Sequence, residues 1–325
     1  MTTADGRPRV ALCIPTLNPG RWASRLTAAL AGQTLSPDPV LVIDSSSTDG
    51  SLDRFGAIGA RIVRIPGEQF DHGGTRNLAL DLTEADVLIY MTQDAIPTHE
   101  TALADLVDGL LEDERTGLAY GRQLPRPEHH ARVRAHRAYN YPDAPSRRTA
   151  ADVAHLGARA AFSSDSFAAY RREAIEDMGR FPSPIIGSED LWAAARLLQL
   201  GWQVAYVPGA RVEHSHDYGL FESFCRYFDI GVFHTKEPWR EEWLGGSERE
   251  GFGLVRQQAA ALRAAGVRLA TVRISARAGV SWLGFRCGRA HGRLPRAVCR
   301  MFSMNPAYWE DRPESGSDAA APDVT

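Results

Sequence analysis

Four short stretches of this 325-residue chain combine residue types and spacings that can do chemistry. Gln93-Asp94-Ala95-Ile96-Pro97 closes an apolar run with one carboxylate. A divalent ion bridging two phosphates needs few protein oxygens, because the phosphates fill the other positions. Asp94 would equally serve to cap the turn that Pro97 completes. Gly187-Ser188-Glu189-Asp190-Leu191-Trp192 reads as a helix start, with Ser188 as N-cap and two acids in the first turn. Those acids either stabilise the helix end, or Asp190, held ionised by the helix dipole, takes the proton of an attacking hydroxyl. In Glu213-His214-Ser215-His216 the strand alternation turns both imidazoles to one face, toward an ion beside Asp94 or simply toward solvent. Phe70-Asp-His-Gly-Gly-Thr-Arg-Asn77 sets Gly73 and Gly74 before a helix that carries Arg76 in its first turn. Free N–H groups and a guanidinium there suit a diphosphate, or the segment is a plain loop-to-helix junction.

Several other chemistries lack their signatures. There is no H-E-x-x-H and no third histidine at zinc spacing, no G-x-G-x-x-G after the first strand, no P-loop and no G-x-S-x-G elbow.

The elements that must position these residues follow an alternating pattern. Apolar runs at residues 10–15, 39–44, 61–65 and 86–92 read as strands; helices are expected over 22–31, from about Gly74, and over 101–111. This spacing predicts βα units and a mainly parallel sheet covered on both faces, with ligands beyond the carboxyl ends of its strands. Thr16, Asp44 to Ser46 and Asp94 all fall at such ends. Further on, Leu118-Ala-Tyr is a short apolar run and residues 124–148 are rich in Pro and Arg, as a loop or short helices at a site mouth would be. Regular structure resumes with a helix near Arg171, helices over 188–201 and 220–234, and a strand over 202–207.

Length and 44% hydrophobic residues suffice for a large α/β domain with an appended helical region. Four scattered cysteines form no C-x-x-C pair, which excludes a disulfide framework and fits a reducing cytosol. The polar N-terminus and the absence of a long apolar run predict a cytoplasmic protein. Net charge is only -3, yet residues 251–302 hold ten arginines and no acid, interleaved with Val280, Trp282, Leu283 and Phe285. Such a surface either meets anionic lipid headgroups or pairs with the acidic remainder; no nucleic-acid reading motif accompanies it.

In order, Ile14-Pro-Thr-Leu-Asn18, Val42-Ile-Asp-Ser-Ser-Ser-Thr-Asp-Gly50, Gly73-Gly-Thr-Arg-Asn77, Gln93-Asp94-Ala95, Ser188-Glu189-Asp190 and His214-Ser-His216 resemble the family-2 glycosyltransferases. Phe70 to Asn77, Thr92-Gln-Asp-Ala-Ile-Pro97, Tyr120-Gly-Arg-Gln-Leu-Pro125, Ser163-Ser-Asp-Ser-Phe-Ala168 and Arg226-Tyr-Phe-Asp-Ile-Gly231 are similar to phrases of the rhamnosyltransferase branch. The resemblance implies a GT-A fold over residues 1–235, with a donor half at about 9–125 and an acceptor half at about 150–235. A basic helical region would follow over 236–310 and a disordered tail over 311–325. It implies inverting transfer of a sugar, L-rhamnose from dTDP-rhamnose, to a saccharide or lipid-linked saccharide in bacterial polysaccharide synthesis. Another dTDP- or UDP-sugar, or a non-catalytic nucleotide-sugar-binding subunit, is the alternative. By the same resemblance Pro15, Thr16, Asn18, Asp44, Ser45, Ser46, Gly74, Arg76, Gln93 and Asp94 line the donor, and Arg76 meets the diphosphate. Asp94, His214 and His216 hold Mg²⁺ or Mn²⁺, Asp190 is the base, and Ser164, Asp165, Glu189 and Trp192 face the acceptor. The second acid that many members carry after the strand-end Asp is Ser45 here, which favours dTDP over UDP; the family's D-x-D is reduced to Gln93-Asp94-Ala95.

Overall fold

The computed structural model describes residues 6–129, 131–245, 268–310 and 323–324. The first half alternates β1 (Val10–Thr16), α1 (Gly20–Ala31), β2 (Val40–Asp44), α2 (Leu52–Gly56), β3 (Arg61–Arg64), α3 (His72–Asp81) and β4 (Val87–Met91). These four strands run parallel in the order β3-β2-β1-β4. Their side chains alternate between two cores. Leu12, Ile14, Val42 and Ile89 pack with Leu26 of α1 on one face, while Cys13, Leu41, Ile43 and Tyr90 pack with Ala79 and Leu80 of α3 on the other. Continuous apolar runs are what a strand buried on both faces requires.

The second half contains β5 (Ile96–Pro97), α4 (Ala102–Leu111), β6 (Thr116–Leu124), α5 (Ala131–Asn140), β7 (Ser146–Arg148), α6 (Val153–Leu156), β8 (Phe167–Arg171), α7 (Arg172–Asp177), α8 (Glu189–Gln199) and β9 (Gln203–Glu213). Here the sheet departs from the parallel expectation. β8 inserts antiparallel between β4 and β6, and β9 then runs parallel to β6. The sheet is therefore mixed. β8 reads Phe-Ala-Ala-Tyr-Arg, and its alanines give little strand signal. Being antiparallel, β8 begins where β4 ends, Phe167 lying opposite Met91. The ends of β4, β6 and β9 and the segment leading into β8 thus share one edge.

The chain continues through α9 (Leu220–Lys236), α10 (Pro238–Leu244), α11 (Arg268–Arg289) and α12 (Arg296–Phe302). α10, α11 and α12 fall within the stretch 236–310 expected to be a basic helical region, of which residues 246–267 lie outside the described residues. Of the expected disordered tail, 311–322 and 325 also lie outside them. Asp323–Val324 forms β10, paired antiparallel with β3. α9 and α11 run side by side in the same direction with their backbones touching. A Cβ at Gly288 would lie 2.0 Å from the Phe228 carbonyl oxygen, one at Gly284 2.3 Å from that of Phe224, and one at Gly231 2.3 Å from that of Phe285. Only glycine permits this approach. Replacing Gly288 by Ala should cost about 1–3 kcal/mol through forced separation of the helices. Gly279→Ala in the same helix, where a Cβ meets nothing within 4 Å, should be neutral or mildly stabilising. Thermal denaturation of the two variants side by side checks this.

Candidate active site

The shared edge gathers Asp94, His214 and His216, whose ligand atoms lie within 4.8 Å of one another. Nε2 of His214 is 3.3 Å from Asp94 Oδ1, Nε2 of His216 is 3.5 Å from Oδ2, and the two nitrogens are 3.1 Å apart. Ligands at right angles about 2.1 Å from one ion stand about 3.0 Å apart, so these residues fit a single divalent cation. Nδ1 of His214 lies 2.9 Å from Gln123 Oε1, while Gln123 Nε2 donates to Ser164 Oγ at 2.8 Å. With the amide so oriented, His214 carries its proton on Nδ1 and turns a bare Nε2 toward Asp94, the arrangement that outer hydrogen bonds impose on ligating histidines. Burial lowers the pKa of His214, and burial followed by the charge of His214 lowers that of His216 to about 3. Both imidazoles are then neutral at pH 7, as metal ligands must be. Burial disfavours ionisation of Asp94, but its polar neighbours, Arg126 among them, outweigh it and hold the carboxyl well below its usual range.

Arg126 was not foreseen. Its Nη2 donates to the Asp94 carbonyl oxygen at 2.8 Å and to Oδ2 at 3.2 Å, its Nη1 donates to the Ser215 carbonyl at 2.7 Å, and its guanidinium lies 3.9 Å from the Trp22 ring centre. One buried side chain therefore ties Asp94 to the His214-Ser215-His216 segment. Gln123 and Arg126 sit in and just after the phrase Tyr120 to Pro125, which was the available signal.

The second cluster is built on Arg76. Its Nε lies 2.7 Å from Asp165 Oδ2 and its Nη2 2.7 Å from Glu189 Oε1, with Tyr90 and Phe181 rings at 5.7 and 5.9 Å. The Tyr170 hydroxyl donates to the other Asp165 oxygen at 2.6 Å. Arg76 is 4% exposed and committed to these carboxylates, which corrects its expected role at the diphosphate. Gly74 is corrected with it. Asp71 caps α3 by accepting from Gly74 N at 2.7 Å, and its other oxygen accepts from Ile185 N at 2.8 Å. A Cβ at Gly73 would meet the Pro182 carbonyl oxygen at 1.9 Å. The two glycines admit a neighbouring loop rather than offering N–H groups to a ligand.

Asp190 follows Glu189 at the start of α8, with Leu191 N donating to its Oδ1 at 2.7 Å. Burial, then the charges of Glu189 and Asp165, push its pKa up to about 7. The helix dipole was expected to hold it ionised. A dipole contributes about 0.3–1 kcal/mol, whereas each pKa unit is about 1.4 kcal/mol, so burial and like charge win. Ser188 occupies the N-cap position with φ 62°, but its side chain makes no capping hydrogen bond.

The remaining expected residues divide. Thr16 donates to Asp44 Oδ1 at 3.1 Å, Ser47 N donates to Asp44 Oδ2 at 2.9 Å, and buried Ser45 leaves its hydroxyl without a hydrogen-bond partner. Ser46 donates to the Ile65 carbonyl at 3.0 Å. Asn18, at φ 47°, donates its N–H to Ser47 Oγ at 2.7 Å and accepts from Thr48 N at 2.9 Å. These contacts link the β1 end, including Pro15, to the β2 end. Gln93 accepts from Leu17 N at 2.8 Å and donates to the Leu17 carbonyl at 3.1 Å, bracing that loop. On the far side, Trp192 donates to Glu237 at 3.0 Å and stands edge-on to Trp239, so it is tied to the segment entering α10.

The family model for glycosyl transferase family 2 matches residues 11–179. The chain belongs to glycosyl transferase family 2. It is 38% identical over 312 residues to the O-antigen chain rhamnosyltransferase RfbN of Salmonella typhimurium, covering 95% of this chain and 98% of that one. It is 37% identical to the O-antigen chain rhamnosyltransferase WbaN of Salmonella anatum, with the same coverage. Among solved structures, a mannosyltransferase from Pyrobaculum calidifontis in complex with GDP-Man and Mn²⁺ aligns with TM-score 0.56 at 20% identity, covering 93% of this chain and 85% of that one. Residues 1–349 of S. aureus TarS in complex with UDP-GlcNAc align with TM-score 0.53 at 13% identity, over 88% and 91%. The fold is thus of GT-A type with a mixed sheet, and the protein is an inverting glycosyltransferase.

Because Arg76 neutralises two buried acids, Arg76→Met should destabilise the protein by about 3–5 kcal/mol. Arg25→Met, which breaks the exposed Arg25–Glu213 pair at 3.1 Å, should be nearly silent. Urea denaturation of both variants measures the contrast.

Proposed function

We propose that this glycosyltransferase moves L-rhamnose from dTDP-rhamnose to a hydroxyl of a saccharide or lipid-linked saccharide acceptor. What supports the reading is the two-histidine, one-aspartate group at the sheet edge, joined through Gln123 to Ser164 in the segment before β8, where the neighbouring Ser163 hydroxyl donates to the Asp190 carbonyl oxygen at 3.0 Å. The near full-length likeness to two O-antigen chain rhamnosyltransferases supports the sugar. Residues 9–125 form the donor half, where Pro15, Thr16, Asn18, Asp44, Ser45 and Ser46 hold base and ribose. Residues 150–235 form the acceptor half. Asp94, His214 and His216 would hold Mg²⁺ or Mn²⁺, which would supply charge neutralisation for a departing diphosphate. Gln123 fixes the His214 tautomer and Arg126 fixes Asp94. Asp190 accepts the acceptor hydroxyl proton as the oxygen attacks the anomeric carbon in a single displacement through an oxocarbenium-like state. Asp165 and Glu189 do not touch the acceptor in this scheme; with Arg76 they set the proton affinity of Asp190.

Asp190→Asn should lower kcat/KM with dTDP-rhamnose by about 10²–10⁴ while dTDP still binds. In the unaltered enzyme kcat/KM should rise as pH increases through about 7, because only ionised Asp190 accepts a proton. Unchanged turnover in the variant removes Asp190 from the mechanism, and turnover confined to a UDP-sugar overturns the donor.

We further propose that the protein works in the cytoplasm and rests on the inner membrane surface through the basic C-terminal helices. No described helix is long and apolar enough to cross a membrane. Trp282 and Leu283 are 53% and 51% exposed on α11, with Arg286 over Trp282 at 5.7 Å. Phe285, expected on the same surface, instead packs inward against His234. Part of the basic surface is used internally, since Arg289 pairs with Glu241 and Arg300 with Glu310. Co-sedimentation with phosphatidylglycerol vesicles should fall on Trp282→Ala and in high salt. Equal sedimentation with neutral phosphatidylcholine vesicles argues against the lipid-headgroup reading.

A further inference from the structure

Most of the sequence phrase Phe70 to Asn77 serves one task. Asp71 accepts from Ile185 N at 2.8 Å, and Gly73 and Gly74 lie against Pro182 and Ser183. Asn77 donates its Nδ2 to the Phe181 carbonyl at 2.8 Å, and its Oδ1 accepts from Phe181 N at 3.1 Å. Arg76 closes on Asp165 and Glu189. The phrase therefore fastens residues 181–189, the segment that delivers Asp190. Thr75 is buried, which leaves His72. It is the first residue of α3, its side chain is 36% exposed, and among the described residues its imidazole forms no hydrogen bond.

The place of that imidazole is fixed from two sides. Its Nδ1 is 3.8 Å from Glu189 Oε1, too far for a hydrogen bond but close enough to set the ring beside the first turn of α8, and the Phe70 ring stands edge-on to it at 5.0 Å. On the other side, the loop entering α3 leans on the end of β2. Ser46 donates to the Ile65 carbonyl at 3.0 Å, and a Cβ at Gly67 would lie 3.5 Å from the Ser45 carbonyl oxygen. His72 thus stands between the strand ends that carry Thr16 and Asp44 and the helix start that carries Asp190. Held by packing alone, the ring keeps its hydrogen-bonding capacity for a ligand; a neutral imidazole offers one donor and one acceptor, and a sugar hydroxyl matches either.

We infer that His72 hydrogen-bonds a hydroxyl of the sugar being transferred, so that it reads the glycosyl part of the donor and not the nucleotide. The inference rests on the nucleotide-sugar reading above, with Asp190 as base, but not on the base being thymine or the sugar rhamnose. In a single displacement the anomeric carbon lies within bonding reach of the oxygen that Asp190 deprotonates. The transferred sugar therefore occupies the interval beside Asp190, where His72 stands, while base and ribose lie at the ends of β1 and β2.

Isothermal titration of the full chain with dTDP and with dTDP-rhamnose, in the presence of Mn²⁺ and without acceptor, separates the two parts of the donor. His72→Ala should weaken dTDP-rhamnose binding about tenfold and leave dTDP affinity and the melting temperature at the parent values. His72→Gln, which restores an N–H donor and an acceptor, should recover part of the loss. Equal weakening of dTDP and dTDP-rhamnose, unchanged dTDP-rhamnose affinity in His72→Ala, or an effect confined to the KM of the acceptor overturns the inference. If the parent binds UDP-glucose or GDP-mannose and not dTDP-rhamnose, the dTDP-rhamnose donor falls, and the same comparison of nucleotide sugar with bare nucleoside diphosphate decides the role of His72. Failure of every nucleotide sugar to bind removes both.

Discussion

One buried guanidinium organises the catalytic half of this protein. Arg76 projects from α3 into a space walled by Tyr90, Tyr170 and Phe181, where an unpaired charge would be costly, and it is matched by Asp165 and Glu189. These acids arrive from the segment before β8 and from the first turn of α8, so a single cation joins three elements distant in sequence. The match is deliberately incomplete in its arithmetic: three clustered carboxylates face one arginine. Asp190 is the one left over, and its proton affinity rises as a result. A carboxyl with a pKa near neutrality is the product of burial and of that imbalance rather than of the helix end on which it sits.

The Asp94–His214–His216 cluster depends on the sheet in a different way. Inserting β8 antiparallel brings its leading residues to the edge where β4, β6 and β9 terminate, so that Ser164, Asp94, Gln123 and His214 become neighbours. Gln123 is the hinge of this arrangement. Its amide contacts Ser164, His214 and Arg137 at once, which joins the segment before β8, the His214 segment and α5 through one planar group. Rotating that amide would exchange donor and acceptor and remove the tautomer that leaves Nε2 free.

Much of this was legible in the sequence. Apolar runs located β1 to β4, and the polar clusters at their ends marked the ligand edge, because a strand buried on both faces leaves polar residues only where it emerges. Asp94, His214 and His216 were paired from the order of motifs, and the structure brings them together. What stayed hidden was of two kinds. β8 escaped because its Ala168 and Ala169 pack in a crowded core by being small, not by being β-branched. Gly73, Gly74 and Arg76 were misread because a glycine pair before a helix looks the same whether it receives a phosphate or a neighbouring backbone, and only the position of Pro182 decides. Arg126 had only its place just after the phrase Tyr120 to Pro125 to set it apart from the other arginines.

The glycine seam between α9 and α11 has a mechanical meaning. Where side chains separate two helices, rotamer changes absorb small shifts; where backbones touch, as at Gly231, Gly284 and Gly288, nothing compressible lies between them. A push on the outer helix therefore passes undiminished to the inner one. α9 begins just after the His216–Tyr218 stack and sets Arg226 against the Tyr218 ring, so the C-terminal helices are joined to the segment that carries His216 and are not a detachable appendage.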